Sequence, residues 1–216
     1  MIIHNNEQGS PAWLSSRSGV ITASMFSTAR EKLKSGLPSA AAKSYAVRVA
    51  IERLGGQPLD DGNETWAMKR GRELEPAARA RHASVIGAFV EPAGFATTDC
   101  GKYGASPDGL IKYDGMAEYK CLVAPDRIAR VVLEDDISEF EDQIQGQMWV
   151  WGRKWVDFCV YLPQLSKVGM DLYKRRVLRD DAFIAKMAAD LAEFDKIVQT
   201  NVFKLRGNLP AKRDEF

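Results

Sequence analysis

A series of short β-rich segments separated by glycine turns constrains the fold of this chain more than any other feature. The segments lie at residues 89–98, 103–106, 110–113 and 116–123. Single glycines and Pro-Asp-Gly or Asp-Gly steps separate them, and these residues favour the backbone conformations of tight turns. Segments of this length with turn signals between them predict consecutive antiparallel strands, a β-meander.

Helical and strand patterns on both sides of the meander predict an α/β protein. Apolar residues repeat at helical spacing over residues 65–85, 135–151 and 181–203, and a further helix carries Tyr45 and Val49 on one face. Residues 155–162 and 170–178 have the length and composition of strands. We therefore predict one domain over residues 1–216, with a central mixed β-sheet flanked by helices, a flexible arm at about 30–44 and a C-terminal amphipathic helix at about 181–203.

Composition excludes several classes of site and location. The chain has three cysteines without a C-x-x-C pair and two histidines, so we expect neither a disulfide framework nor a cysteine or histidine metal centre. It lacks a long apolar run and a signal-peptide pattern, so we expect a cytosolic protein with no membrane partner. A net charge of +1 leaves a nucleic-acid partner open, because binding depends on where positive charge clusters.

The segment that most suggests chemistry is Ser-Pro-Asp-Gly, followed ten residues after Asp108 by Glu118-Tyr119-Lys120. Alone, the first part is a common turn and the second a common strand face. Together, two neighbouring strands can bring Asp108 and Glu118 to one point, and paired carboxylates suit Mg²⁺, which prefers oxygen ligands. Strand alternation places Lys120 on the face of Glu118, where a lysine can orient the attacking water and offset charge on a phosphate. The pattern favours a metal-dependent nuclease.

Two helical segments offer further polar groups for such a site. Glu73 and Glu75 lie two residues apart on one predicted helix, so one can face the sheet while the other is solvated. Gln143 and Gln147 share a face of another helix, and glutamine can hold a water or a phosphate oxygen without charge. The alternative is that these two glutamates and two glutamines are ordinary surface residues.

Six short segments, taken together, are more distinctive than the Asp…Glu-x-Lys pattern alone. They are Glu7-Gln-Gly-Ser-Pro-Ala-Trp-Leu-Ser-Ser-Arg17, Gly19-Val-Ile-Thr-Ala-Ser24, Gly71-Arg-Glu-Leu-Glu75, Ser106-Pro-Asp-Gly-Leu110, Glu118-Tyr-Lys-Cys121 and Gln143-Ile-Gln-Gly-Gln-Met-Trp-Val150. In their order and spacing the chain resembles the phage lambda exonuclease family, the YqaJ-type viral recombination nucleases. This family belongs to the PD-(D/E)XK superfamily, whose restriction-endonuclease-like core is the fold that the resemblance implies.

The resemblance implies an activity, a cofactor and partners. Such enzymes degrade one strand of linear double-stranded DNA from its 5′ end with Mg²⁺, for which Mn²⁺ can substitute. They leave a 3′ overhang for a single-strand annealing protein in phage-type recombination, and they form homotrimeric rings around DNA. By the same resemblance, the protein would act in the cytoplasm of a bacterial host.

The resemblance also implies roles for individual residues. Asp108, Glu118 and the backbone carbonyl of Tyr119 would bind the metal, and Lys120 would serve the attacking water. The other positions that match the family's site are Glu75 and Gln143 in the catalytic set, Arg17, Thr22, Ser24, Ser106 and Arg127 around the 5′-phosphate, and Met68 as a wedge at the terminal base pair. Arg127 matches only with a one-residue shift, and Gly146 replaces a family tyrosine.

Several alternatives stay open. Thr22-Ala-Ser24 can be a helix N-cap, which is compatible with a phosphate site because helix N-termini themselves attract phosphate. Trp66 and Met68 can pack in the core or in a lid instead of meeting DNA. At the level of function, the alternatives are a restriction-like DNA endonuclease on the same core and a catalytically inactive DNA-end-binding module.

Overall fold

The computed structural model describes residues 1–6, 9–59 and 65–208; Glu7 and Gln8, at the start of the first matching segment, lie outside this part. Its strands are β1 Ile2–His4, β2 Ile21–Thr22, β3 Phe95–Thr97, β4 Tyr103–Ala105, β5 Gly109–Ile111, β6 Gly115–Lys120, β7 Trp155–Tyr161 and β8 Leu172–Leu178. Its α-helices are α1 Pro11–Arg17, α2 Phe26–Arg30, α3 Ala40–Gly55, α4 Trp66–Ile86, α5 Pro125–Ile128, α6 Glu141–Trp151 and α7 Asp181–Asn208. The predicted α/β class is confirmed.

The strands form two mixed sheets of four, where the sequence predicted one central sheet. One has the order β1-β3-β4-β2 and the other β5-β6-β7-β8, and within the described ranges the parallel pairs are β2 with β4 and β6 with β7. The predicted meander therefore divides after β4: the chain leaves the first sheet at Ala105 and enters the second at Gly109. The turn that carries Asp108 lies at this junction, so residues of both sheets surround it.

Three predicted boundaries change. The arm predicted at 30–44 is a short turn, in which Leu33 N–H donates to Leu37 O (2.8 Å) and Ser39 Oγ donates to Glu31 (2.8 Å) before α3 begins at Ala40. The helix predicted over 135–151 is an α-helix only from Glu141, since Asp135 has a left-handed φ of 55° that no helix accommodates and Ser138–Phe140 form a 3₁₀ turn. Helix α7 continues to Asn208, five residues past the predicted 203.

Capping residues explain where the long helices start and stop. Ser39 accepts the Ala42 N–H at 3.1 Å to open α3, and Thr65 accepts the Met68 N–H at 3.2 Å to open α4. Gly87 then ends α4 with a left-handed φ of 59°, a conformation that glycine adopts without strain. The predicted helix over 65–85 is thus confirmed, and it holds Glu75 near its middle.

Two apolar clusters hold the elements together on opposite faces of β6. The larger one packs α3 against α7, where the Tyr45 and Phe194 rings stack at 5.5 Å, and it includes the buried stripe Met187, Leu191, Phe194 and Val198. The smaller one lies between β6 and α4 and surrounds Tyr119 and His82. No helix within the described ranges is long and apolar enough to cross a membrane.

Candidate active site

Strand β6 places its two charged side chains on one face, as the alternation predicted. Glu118 is 3% exposed, and Lys120 Nζ donates to its Oε1 at 2.7 Å. Tyr119 points the other way, where its hydroxyl bonds to Nδ1 of the fully buried His82 at 2.9 Å. The strand is therefore fixed on both faces, and a charged pair lies at its end next to helix α6.

The turn before β5 brings a second carboxylate to the same place. Tyr119 N–H donates to Asp108 Oδ2 at 2.6 Å, so the aspartate is attached to the strand that carries Glu118. Gly109 is required here, because a Cβ would lie 2.4 Å from Val90. Ser106 Oγ donates to Gly94 O at 2.9 Å and anchors the start of the turn. The predicted convergence of Asp108 with the Glu118 strand is present in this geometry.

Helix α6 adds two glutamines. Gln143 Nε2 donates to Glu118 Oε1 at 2.6 Å, and Gln147 Nε2 donates to the other carboxylate oxygen at 2.6 Å. Lys120 Nζ also donates to Gln143 Oε1 at 3.0 Å. Gly146 lets the helix approach, since a Cβ there would lie 2.6 Å from the Phe26 ring. This close contact leaves no room for the tyrosine that the related family has at this position.

Helix α4 contributes a third carboxylate and a cation. Glu75 forms an ion pair with Arg79, whose Nη2 also donates to the backbone carbonyl of Asp108 at 3.0 Å. Burial raises the pKa of Glu75, and the charge of Glu118 adds to this effect against the attraction of Arg79. The side chain of Glu73 is 61% exposed, so the two glutamates do face different directions. Sequence reasoning missed Arg79; its position four residues after Glu75 was the available signal.

The carboxylates create a strongly negative site. Burial, followed by the charges of Glu118 and Glu75, raises the pKa of Asp108 well above its ordinary value. Burial alone would lower the pKa of Lys120, but Glu118 and Asp108 outweigh it and raise that pKa. Such a group of carboxylates is relieved by a cation, and the set of donors consists of hard oxygens, which fits Mg²⁺.

The protein supplies only part of a metal shell. Among the described residues, no group of three His, Cys, Asp or Glu side chains is placed to hold an ion. Asp108 and Glu118 would therefore need the Tyr119 carbonyl, waters or phosphate oxygens to complete the coordination. Mg²⁺ is commonly bound in this way, by one or two carboxylates together with substrate phosphates.

Arg17 lies in the same cavity as the carboxylates. This cavity, of about 150 Å³, is lined by Trp13, Arg17, Thr22, Ala23, Ser24, Ala105, Ser106, Asp108, Glu118, Gln143 and Gln147. The guanidinium of Arg17 lies 4.3 Å from the centre of the Trp13 ring, and burial lowers its pKa to about 10. Glu52 attracts the guanidinium electrostatically, but no described residue accepts a hydrogen bond from it, so this half-buried cation faces the cavity with its N–H donors unused.

The hydroxyls predicted beside Arg17 are also in this cavity. Thr22 Oγ1 and Ser24 Oγ lie 3.4 Å apart. Thr22 precedes the 3₁₀ turn Ala23–Met25, but its side chain makes no capping bond. The N-cap alternative therefore holds for the position of Thr22 and not for its hydroxyl, which remains in the cavity with Arg17.

Five predicted site residues do not line this cavity: Glu75, Tyr119 and Lys120, which lie beside its carboxylates, and Arg127 and Met68, which lie farther away. Arg127 pairs with Glu139 at 2.9 Å and covers the Phe140 ring, whose centre is also 5.5 Å from Lys120 Nζ. Met68 is 62% exposed at the start of α4, and Trp66 is 68% exposed, so core packing is wrong for both. Trp66 instead lines a second, mostly apolar cavity with Arg70, Leu122 and Leu165.

A mixed-sheet α/β core that presents Asp, Glu and Lys beside helical Glu and Gln residues defines a nuclease of the PD-(D/E)XK type. The chain belongs to the YqaJ-like viral recombinase domain family, whose sequence profile matches residues 12–154. The resemblance noted in the sequence is thereby confirmed.

Solved structures agree with this family. The chain is similar to an alkaline exonuclease (LHK-Exo) from Laribacter hongkongensis, with 32% identity, coverage of 91% of this chain and 96% of that one, and a TM-score of 0.79. The complex of that exonuclease with dAMP gives a TM-score of 0.80 at the same identity and coverage. The chain is thus an enzyme of the DNA exonuclease class.

A more distant structure shares the fold. The phage-related exonuclease from Haemophilus somnus 129PT is 15% identical over 86% of this chain and 96% of its own, with a TM-score of 0.66. No curated protein sequence gives a significant match.

Proposed function

We propose that this phage-type exonuclease degrades the 5′-ended strand of linear double-stranded DNA with Mg²⁺, and that Mn²⁺ can substitute. One observation carries the proposal: Arg17, a half-buried cation that forms no hydrogen bond with any described residue, lines the same cavity as Asp108 and Glu118. A guanidinium in this state favours a doubly charged terminal phosphate, because charge-assisted hydrogen bonds would satisfy it. A phosphate bound by Arg17 would lie in the same cavity as the carboxylates of Asp108 and Glu118.

The residues divide the chemistry between them. Asp108, Glu118 and the Tyr119 carbonyl would hold the ion, which when bound offsets the charge that builds on the phosphate during hydrolysis. Lys120 orients the attacking water and adds positive charge at the phosphate. Gln143 holds Lys120 and Glu118 in their relative positions through its two hydrogen bonds. Glu75 adds a carboxylate on the α4 side of the site.

Substrate selection follows from the surroundings of this site. Arg17, Thr22, Ser24 and Ser106 would bind the 5′-phosphate, and Arg127, which lies over the Phe140 ring and does not line the cavity, would be a further cation. Met68 would act at the terminal base pair as a wedge, a role that suits an exposed apolar side chain at the start of a helix. Opening the last pair would allow the end of a single strand to enter the cavity of about 150 Å³.

The proposal extends to assembly and partners. With a net charge of +1, the chain has little long-range attraction to DNA in physiological salt. A homotrimeric ring would retain the duplex by enclosure, and its heterologous contacts would close after three copies. The 3′ overhang that remains would be passed to a single-strand annealing protein in the cytoplasm of a bacterial host.

One assay separates this function from its alternatives. Linear duplex DNA and covalently closed circular DNA are incubated with the protein and Mg²⁺, and each end of the linear substrate is labelled in turn. We expect loss of the 5′-ended strand from the linear DNA and an intact circle. Cleavage of the circle would indicate the restriction-like endonuclease, and binding to ends without cleavage would indicate the inactive module.

A further inference from the structure

Gln147 contacts the site as closely as any predicted residue does. It is 1% exposed, lines the active-site cavity, and donates from Nε2 to Oε2 of Glu118 at 2.6 Å. Its Oε1 is buried and has no hydrogen-bonding partner among the described residues. The amide is thus oriented by Glu118 at one end, and its other end forms no hydrogen bond with the described residues.

The hydrogen bonds of Glu118 show what this contact does. Its Oε1 accepts from Lys120 and from Gln143, whereas the described residues give Oε2 only the bond from Gln147. A carboxylate has about four acceptor positions, so one of those on Oε2 stays available for a cation. Without Gln147, the carboxylate group could rotate and move Oε2, because Lys120 and Gln143 hold only Oε1.

A second glutamine in the same helix provides a contrast. Gln145 is 2% exposed, but its Nε2 donates to Leu178 O at 3.0 Å and its Oε1 accepts from Asp180 N–H at 3.0 Å. Both ends of that amide connect α6 to the chain between β8 and α7. Gln145 is therefore structural, whereas half of the Gln147 amide is left unused by the fold.

We propose that Gln147 is a positioning residue that acts through Glu118, holding Oε2 in the orientation that receives a divalent cation. The inference rests on the proposed metal-dependent function. Hydrogen-bond partners of a ligating carboxylate commonly orient it in this way.

The test compares Gln147→Met with Gln145→Met in the full chain. Both changes replace a buried glutamine of α6 by an unbranched side chain of similar length. Mn²⁺ binding is measured by calorimetry without DNA, cleavage is measured as a function of Mg²⁺ concentration, and thermal unfolding is measured without metal. Gln147→Asn, which keeps a buried amide on a shorter side chain, is the second variant if Gln147→Met folds poorly.

We expect Gln147→Met to weaken Mn²⁺ binding and raise the half-saturating Mg²⁺ about tenfold or more, as loss of groups that orient metal ligands usually does. Its KM for DNA ends should stay within about twofold, because no substrate contact is removed. Gln145→Met should lower the unfolding temperature and leave metal binding as in the wild type.

Two results would overturn the inference while leaving the proposed function intact. One is wild-type metal binding and cleavage in both Gln147 variants. The other is an equal loss of metal affinity in Gln145→Met, which would mean that any disturbance of α6 has this effect. A wild-type protein that binds no Mn²⁺ would instead overturn the proposed function, and this inference with it.

Discussion

Lys120 Nζ lies 2.7 Å from Oε1 of Glu118, and the two side chains leave the same face of one strand two residues apart. The carboxylate is buried, while the lysine side chain is 24% exposed, so the lysine lies on the open side of the pair. In the proposed mechanism, Lys120 would be able to shift toward a water or phosphate if a cation were bound beside Glu118. Without a cation, the lysine offsets the charge of one carboxylate of the site.

Lys120→Ala should remove cleavage while leaving binding largely intact. The change deletes the charge that serves the attacking water but none of the oxygen ligands, so we expect a rate loss of about a hundred- to a thousandfold. Mn²⁺ calorimetry and a DNA-end binding assay should give near-wild-type affinities. Near-native cleavage by this variant would contradict the role assigned to Lys120.

Asp108→Asn should stabilise the metal-free protein while abolishing cleavage. The pKa of Asp108 is raised in the fold by burial and by the charges of Glu118 and Glu75, so ionisation costs stability as the pH rises above the unfolded pKa. That cost is complete above the folded pKa, and asparagine removes it. We expect about 1 kcal/mol, or about 2–4 °C in unfolding temperature, at pH 8 with chelator.

The same variant has a pH dependence of its own. The stabilisation of the variant relative to the wild type should shrink as the pH falls toward about 3.9, the ordinary pKa of aspartate. At low pH the wild-type Asp108 loses its charge, so the two proteins no longer differ in charge at this position. Thermal melts across pH check this prediction. A variant that is less stable than the wild type at pH 8 would contradict this prediction. It would show that the favourable contacts of the Asp108 carboxylate outweigh its burial and its repulsion by Glu118 and Glu75.

Much of the site follows from local sequence rules. Strand alternation placed Glu118 and Lys120 on one face of the strand and Tyr119 on the other. The Thr65 cap fixed the start of the helix that carries Glu75. These relationships depend on neighbours along the chain, so periodicity and turn chemistry are sufficient to predict them.

Other parts depend on contacts that no local pattern encodes. The three-residue strands β3, β4 and β5 are too short to show which sheet each one joins. Gly146 is explained only by the ring of Phe26, 120 positions earlier in the chain. The helical spacing of Glu75 and Arg79 was visible, but the bond from Arg79 to the Asp108 carbonyl was not, because it depends on how α4 packs against the second sheet.

Met68→Ala should affect duplex opening without affecting stability. The side chain is 62% exposed, so little packing is lost and the unfolding temperature should not change. Cleavage of fully paired ends should slow, and a mismatch at the terminal pair should restore the rate. Phe203→Ala, at a 79% exposed position on α7, is the matched control and should have no effect. Equal slowing on paired and mismatched ends would exclude the wedge.

Light scattering should report a mass about three times the 24.0 kDa of one chain at micromolar concentration. A closed ring provides retention on DNA that a net charge of +1 does not. A monomer, or a mass that grows with concentration, would rule out the ring and would favour the restriction-like alternative.

The most direct test of the central claim is the rate ratio between 5′-phosphorylated and 5′-hydroxyl duplex ends, measured in the wild type, Arg17→Ala and Arg127→Ala. A buried charge-assisted contact to phosphate contributes about 1.5–3 kcal/mol, so we predict a wild-type ratio of roughly ten to a hundred. Arg17→Ala should bring this ratio close to one, whereas Arg127→Ala, outside the cavity, should lower it far less. Equal rates on both ends in the wild type, or an unchanged ratio in Arg17→Ala, would contradict the claim that Arg17 and the Asp108–Glu118 carboxylates form one site for a DNA 5′ end.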